Sequence, residues 1–227
     1  FYQDACHGHA IVYADEISNR KLRPYITYPQ GNFASPVFHG ERPDPMPHYE
    51  MTGNPVSIAF SEQSPPVKMR SFKLYQDTKE IRDVKILDKD NDPNRLLTDR
   101  QFALFPLQPL EYDTDYRAVF QYRQNGKNRT AEWTFSTQKP DYPYFIVKGG
   151  ETLAIESGQK YFIHWQDFWC LKQCERYNYR MNRDTQIDII ERQAGGIIIR
   201  VNGSKGSSIR LMPEGEDRRA ITLYLWK

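Results

Sequence analysis

Short runs of alternating apolar and polar residues, broken every few positions by turn formers, limit what this chain can fold into. "HAIVYAD", "PVSIAFS", "SFKLYQD", "DVKILDK", "QFALFPL", "DYRAVFQYR", "AEWTFST", "PYFIVK", "YFIHWQ", "QIDIIER", "GIIIRV", "SSIRLM" and "ITLYLWK" each read as a strand. Successive side chains of a strand point to opposite faces, so alternation marks a half-buried one. Between them stand "DNDPN", "QNGKN", "VKGGE", "ESGQK", "QAGG", "NGSKG" and "PEGED". These carry the Gly, Asn, Asp and Pro that turns require. Helical spacing of apolar residues is scarce, and Phe168 to Tyr177 is the best short candidate. Many short strands at this spacing predict an all-β fold of sandwiches or barrels.

The chain divides into three parts. Residues 1–48 begin with one strand and run into a Pro-rich segment, "YPQGNFASPVFHGERPDPMPH". Its prolines disfavour central strands and favour extended backbone. Residues 49–138 form a strand block, "TQKPDYP" from Thr137 to Pro143 reads as a linker, and residues 143–227 form a second small β-rich domain.

In the middle block, "GNPVSIAFSE" (Gly53 to Glu62), "FALFPLQPLEYDTDYRAVF" (Phe102 to Phe120) and "AEWTFSTQ" (Ala131 to Gln138) resemble an opening strand, a late-strand junction and a closing strand of bacterial Ig-like domains. With "FHGERPDPMP" and "DKDNDPNR", the stretch is also similar to the region that follows the CAP (SCP-like) domain in some bacterial secreted proteins. The resemblance covers roughly Tyr25 to Thr137 and implies an Ig-like β-sandwich with the Pro-rich segment as an N-terminal strap. It further implies an exported setting: secreted, periplasmic or cell surface. The CAP core itself is not found in this chain, and the final block resembles no family. Alternation supports the sandwich independently. Val56, Ile58 and Phe60, then Phe72 and Leu74, Val84 and Ile86, Tyr116, Ala118 and Phe120, and Trp133 and Phe135 form the expected inner faces. Tyr116 is placed to act as a corner tyrosine.

Charge narrows the partners. The net charge of +2 comes from interspersed basic and acidic residues, so no electrostatic footprint for nucleic acid is present. Apolar runs such as "GGIIIRV" are too short to span a bilayer. The sequence opens on Phe1 with no signal peptide, which fits a fragment or a mature form.

Candidate sites are few. "DACHGHA" places Cys6, His7 and His9 together. A structural zinc site takes four ligands. On a strand only His7 and His9 share a face, so the expectation is an edge strand with surface histidines. The three cysteines, Cys6, Cys170 and Cys174, are disulfide candidates with two arrangements open. Cys6 pairs with one of the downstream cysteines, or Cys170 pairs with Cys174. "DKDNDPNRLLTD" puts Asp88, Asp90, Asp92 and Asp99 at calcium-loop positions, but Pro93 stands where such loops need Gly. A hairpin connection fits it as well. Trp165, Phe168, Trp169, Tyr177 and Tyr179 form the densest aromatic cluster, either a core or a ligand-binding surface. No G-x-S-x-G, H-E-x-x-H or P-loop is present. No cofactor is called for.

The expected function is a non-catalytic structural or interaction region of an exported bacterial protein, with a cell-wall polysaccharide or a protein as partner. One alternative is a carbohydrate- or peptidoglycan-binding module that uses the aromatics near Trp165. Another is a metal- or calcium-dependent protein.

Overall fold

The computed structural model describes residues 24–166, 168–169, 176–181 and 184–227. The "DACHGHA" stretch with His7 and His9, and the disulfide candidates Cys6, Cys170 and Cys174, lie outside them. The chain forms two compact units, residues 1–139 and 140–227.

Unit 1 contains β1 (Tyr25–Tyr28), β2 (Gly31–Ala34), β3 (Val37–Phe38), β4 (Thr52–Gly53), β5 (Val56–Phe60), β6 (Lys68–Gln76), β7 (Lys79–Ile81), β8 (Val84–Leu87), β9 (Gln101–Pro106), β10 (Asp115–Gln124) and β11 (Lys127–Thr137). One sheet runs β1-β5-β9-β8 and the other β2-β11-β10-β6-β7. β2 runs parallel to β11, so the first segment of chain joins both sheets in turn. This is the connectivity of an Ig-like β-sandwich. Asn125 and Gly126, both at positive φ, form the tight hairpin turn between β10 and β11.

The inner faces meet as the alternation predicts. Val56, Ile58, Phe60, Phe72, Leu74, Phe102, Leu104, Tyr116, Ala118, Phe120 and Phe135 form one buried cluster, with Val84, Ile86 and Trp133 packed against it. The Tyr116 hydroxyl accepts a 2.9 Å hydrogen bond from the Glu111 amide. Burial pushes its phenol up, so it stays neutral. This is the corner tyrosine.

The Pro-rich segment is a strap. Ala103 and Phe105 alternate with Phe102 and Leu104, so they face the other side of β9. There Phe38 and Met46 from the strap bury them together with Leu87 and Leu97. The strap also supplies β1 and β2 to the two sheets.

Unit 2 contains β12 (Tyr144–Val147), β13 (Thr152–Ile155), β14 (Lys160–Trp165), β15 (Tyr177–Met181), β16 (Thr185–Gln193), β17 (Gly196–Gly203), β18 (Ser208–Pro213) and β19 (Ile221–Leu225). Its sheets run β12-β14-β17-β16 and β13-β19-β18-β15. From β13 onward this repeats the connectivity of unit 1, including a parallel first-to-last pair, β13 with β19. It departs at β12, which runs parallel to β14 where β1 is antiparallel to β5. The core holds Tyr161, Ile163, Trp165, Ile197, Ile199, Leu211 and Leu223. The short helix expected over Phe168 to Tyr177 is not borne out at its described ends. Phe168, Trp169 and Arg176 have no regular structure, and Tyr177 opens β15.

Two side-chain latches hold turns of unit 2. The Tyr161 hydroxyl accepts from the Glu156 amide at 3.0 Å, a bond that spans five residues as at Tyr116. The Glu151 carboxylate accepts from the Lys148 and Gly149 amides at 2.8 and 2.7 Å. Burial works against its charge, but these backbone donors win and hold it below the usual carboxylate range.

Candidate functional site

The aromatic cluster divides by depth. Trp165 is fully buried and its indole N–H donates to the Arg219 carbonyl at 2.8 Å. Tyr177 packs beside it, ring centroids 5.6 Å apart, and is 8% exposed. Phe168 is half-buried under the Arg219 guanidinium, 4.9 Å from its ring centre. Trp169, also half-buried, lies 4.9 Å from His164. Tyr179 is 46% exposed. A surface role therefore draws on Tyr179 and on the edges of Phe168, Trp169 and Tyr177, while Trp165 serves the core.

Arg219 organises the turn beneath. Its Nη1 donates to the Gln166 carbonyl at 2.9 Å. Its Nε lies 3.4 Å from Glu216 Oε2, an ionic contact without hydrogen-bond geometry.

Tyr177 and Tyr179 open onto a cleft of about 400 Å³. Among the described strands β15 and β16 are the outermost of their sheets, so the cleft lies on a side of the sandwich that no described strand covers. Ile187 and Ile189 from β16 form its apolar wall, and Arg176, Arg192 and Glu214 stand around it. The Tyr177 hydroxyl has no hydrogen-bond partner among the described residues. Burial pushes it up to about 12, against the pull of the nearby Arg192 charge, so it remains a donor throughout the physiological range. In unit 1 the equivalent edge strand, β6, is paired by β7. In unit 2 no described strand covers β15.

A second opening, of about 450 Å³, lies in unit 1 where the chain crosses from β1 to β2. Tyr28, Phe33, His39, Glu41, Asn54 and Gln138 are among the residues around it. Sequence reasoning singled out Tyr177 and Tyr179 but neither opening, because the walls of each come from residues far apart in the chain.

The acidic loop is committed to the fold. Asp92 is buried, and its carboxylate accepts from the amides of Asn94, Leu96 and Leu97 at 3.0, 2.7 and 2.9 Å. Asp88 accepts from the amides of Asp90 and Asn91, and Asn94 ties the loop to the strap through the Asp44 carbonyl. Asp90 pairs with Lys89, and Asp99 with Arg100. Among the described residues no three His, Cys, Asp or Glu side chains converge as a metal site.

No family model matches the chain, and no curated protein matches it. Among solved structures, domains 4 and 5 of the S-layer protein SbsC share 13% identity over 70% of this chain and 100% of theirs, with a TM-score of 0.24. A titin Ig tandem shares 12% over 75% of this chain and 87% of its own, with a TM-score of 0.22. An endo-fucoidan hydrolase of glycoside hydrolase family 107 shares 7% over 70% of this chain and 23% of its own, with a TM-score of 0.24. At such identities and scores these likenesses carry no argument about function. The class rests on the strands themselves: an all-β protein with an Ig-like β-sandwich, a Pro-rich strap and a second, smaller β-sandwich. No described helix is long and apolar enough to cross a membrane.

Proposed function

We propose that the chain is a non-catalytic interaction region that captures an extended, acidic segment of a protein partner at the Tyr177 cleft. The observation that carries this reading is the edge of unit 2 that no described strand covers. An edge strand offers unpaired backbone groups to an incoming strand. Here β15 does so beside Arg176 and Arg192, with Glu214 also on the cleft, and Tyr177 turns a hydroxyl without a described partner toward it. A carboxylate of the incoming strand would pair with the Arg176 guanidinium and accept from Tyr177. Ile187, Ile189 and Tyr179 would take its apolar neighbours.

An alternating Glu-Thr peptide, labelled for fluorescence anisotropy, tests this. It is expected to bind, an alternating Lys-Thr peptide is not, and Arg176→Glu should weaken binding at least roughly tenfold, about 1.4 kcal/mol. Equal binding of both peptides, or binding untouched by Arg176→Glu, rejects the cleft as an acidic-strand site.

The proposal extends to setting. Residues 1–48, 49–138 and 143–227 are taken as strap, Ig-like sandwich and second domain of an exported bacterial protein, in the position that follows a CAP domain. The resemblance over Tyr25 to Thr137 supports this. Alkylation without reductant followed by mass spectrometry checks the exported part: an oxidised protein shows one free thiol of three. Three free thiols would place the chain in a reducing compartment.

A further inference from the structure

We propose that the cavity at the β1–β2 crossover of unit 1 binds a neutral hexose ring of a polysaccharide, stacked on Phe33 and hydrogen-bonded by Asn54. This site is independent of the Tyr177 cleft.

Phe33 is the starting point. It sits on β2, an edge strand, and is 82% exposed. A phenyl ring held that far into water beside a cavity offers a flat apolar face, and the C–H face of a pyranose is the matching surface. Asn54 supplies the polar half. It is 4% exposed, and its Nδ2 donates to the Tyr28 hydroxyl at 3.2 Å. Its carbonyl oxygen and second N–H have no partner among the described residues, although Asn54 lines the cavity. Both groups therefore open onto the cavity, where a ligand can take the place of water. Two adjacent hydroxyls of a sugar ring accept from an N–H and donate to a C=O at once, which a single carboxamide can do.

The site is built rather than incidental. A Cβ on Gly53 would lie 2.7 Å from the Gln108 carbonyl oxygen and 2.8 Å from Pro106. The backbone before Asn54 is therefore seated against the chain behind it. Val56 follows as a fully buried strand residue. On the other wall Phe38 is fixed edge-on to Phe105, ring centroids 5.4 Å apart. Asn54 is thus preorganised, which reduces the ordering cost of binding.

Charge selects the ligand class. Glu41 stands on the wall, and no described Lys or Arg lines the cavity. A phosphate, sulfate or uronate would find no described cationic side chain on that wall, whereas a neutral polyol gains hydrogen bonds from His39 and Gln138 at the rim. The volume of about 450 Å³ lies within the range of small-ligand sites.

The test is titration calorimetry of the full chain with neutral hexasaccharides of glucose, mannose and N-acetylglucosamine, with a hexasaccharide of galacturonate as the anionic comparison. At least one neutral oligomer is expected to bind, and the galacturonate oligomer is not. Phe33→Ala should weaken that binding roughly tenfold. Phe33→Trp, which keeps a stacking face, should restore it. Phe33 is exposed, so these variants leave the core intact. Asn54→Asp, which keeps the oxygen and removes both N–H donors, should also weaken binding. Absence of binding by every neutral oligomer, equal binding of the anionic one, or an unchanged affinity in Phe33→Ala would each overturn the proposal.

Discussion

Replacing Asp92 with Ala is expected to destabilise unit 1 by about 3–4 kcal/mol, because three backbone amides lose a charged acceptor inside the protein. Hydrogen bonds to a charged group are worth more than neutral ones, and the Leu97 bond is buried, where water does not readily replace the acceptor. Leu97 beside them belongs to the cluster that seats the strap against β9, so the loop and the strap should loosen together. For a domain of this size such a loss lowers Tm by on the order of 15 °C. Urea titration and calorimetry of the full chain measure it. Asp90→Ala in the same loop is the comparison. That carboxylate is exposed and paired only with Lys89, so its removal should change stability by about 0.5 kcal/mol or less. If calcium raised Tm in the wild type and not in Asp92→Ala, the carboxylate would belong to a cation instead.

The second large effect is expected at Gly196. A Cβ there would lie 2.0 Å from the Ile163 carbonyl oxygen and 2.9 Å from its carbon. Both atoms belong to backbone of the neighbouring strand, and Gly196 faces His164 across the β14–β17 ladder. No rotamer relieves that contact. The strands must separate or slip, and a one-residue slip would turn Ile197 and Ile199 out of the core. Gly196→Ala should therefore cost about 3 kcal/mol or more. The adjacent Gly195 leaves room for the Trp169 ring, 2.5 Å from where its Cβ would stand. Near-UV circular dichroism, to which Trp165 and Trp169 contribute as two of the four tryptophans, should lose intensity in the variant. A cost below about 1 kcal/mol would show that the ladder yields at this end.

Legibility in the sequence tracks how local the cause is. β5, β6 and β10 show alternation strong enough to mark both position and inner face, and the corner tyrosine follows from Tyr116 opening β10. β1 and β2 were passed over because they stand among prolines. Each is an edge strand, paired on one side only, where a neighbouring proline breaks no ladder. β15 was missed because four of its five residues are exposed and polar residues alternate with Tyr. The aromatic cluster was visible as a cluster, but its depth was not. Trp165, at an inner-face position of β14, went to the core, and Tyr179, on an outermost strand, stayed at the surface.

What the sequence by itself determined is most of the long strands, the turns between them and one packed face for each, since all of these arise from neighbours in the chain. What covers the opposite face was decided only by the tertiary structure. Phe105 needed the strap over it, and His164 needed Trp169. The two openings belong to the same class. Asn54 and Phe33 line one opening, and Arg176 and Arg192 line the other. Alternation along a strand encodes that a side chain points away from the core, but carries no information about which distant segment arrives to meet it.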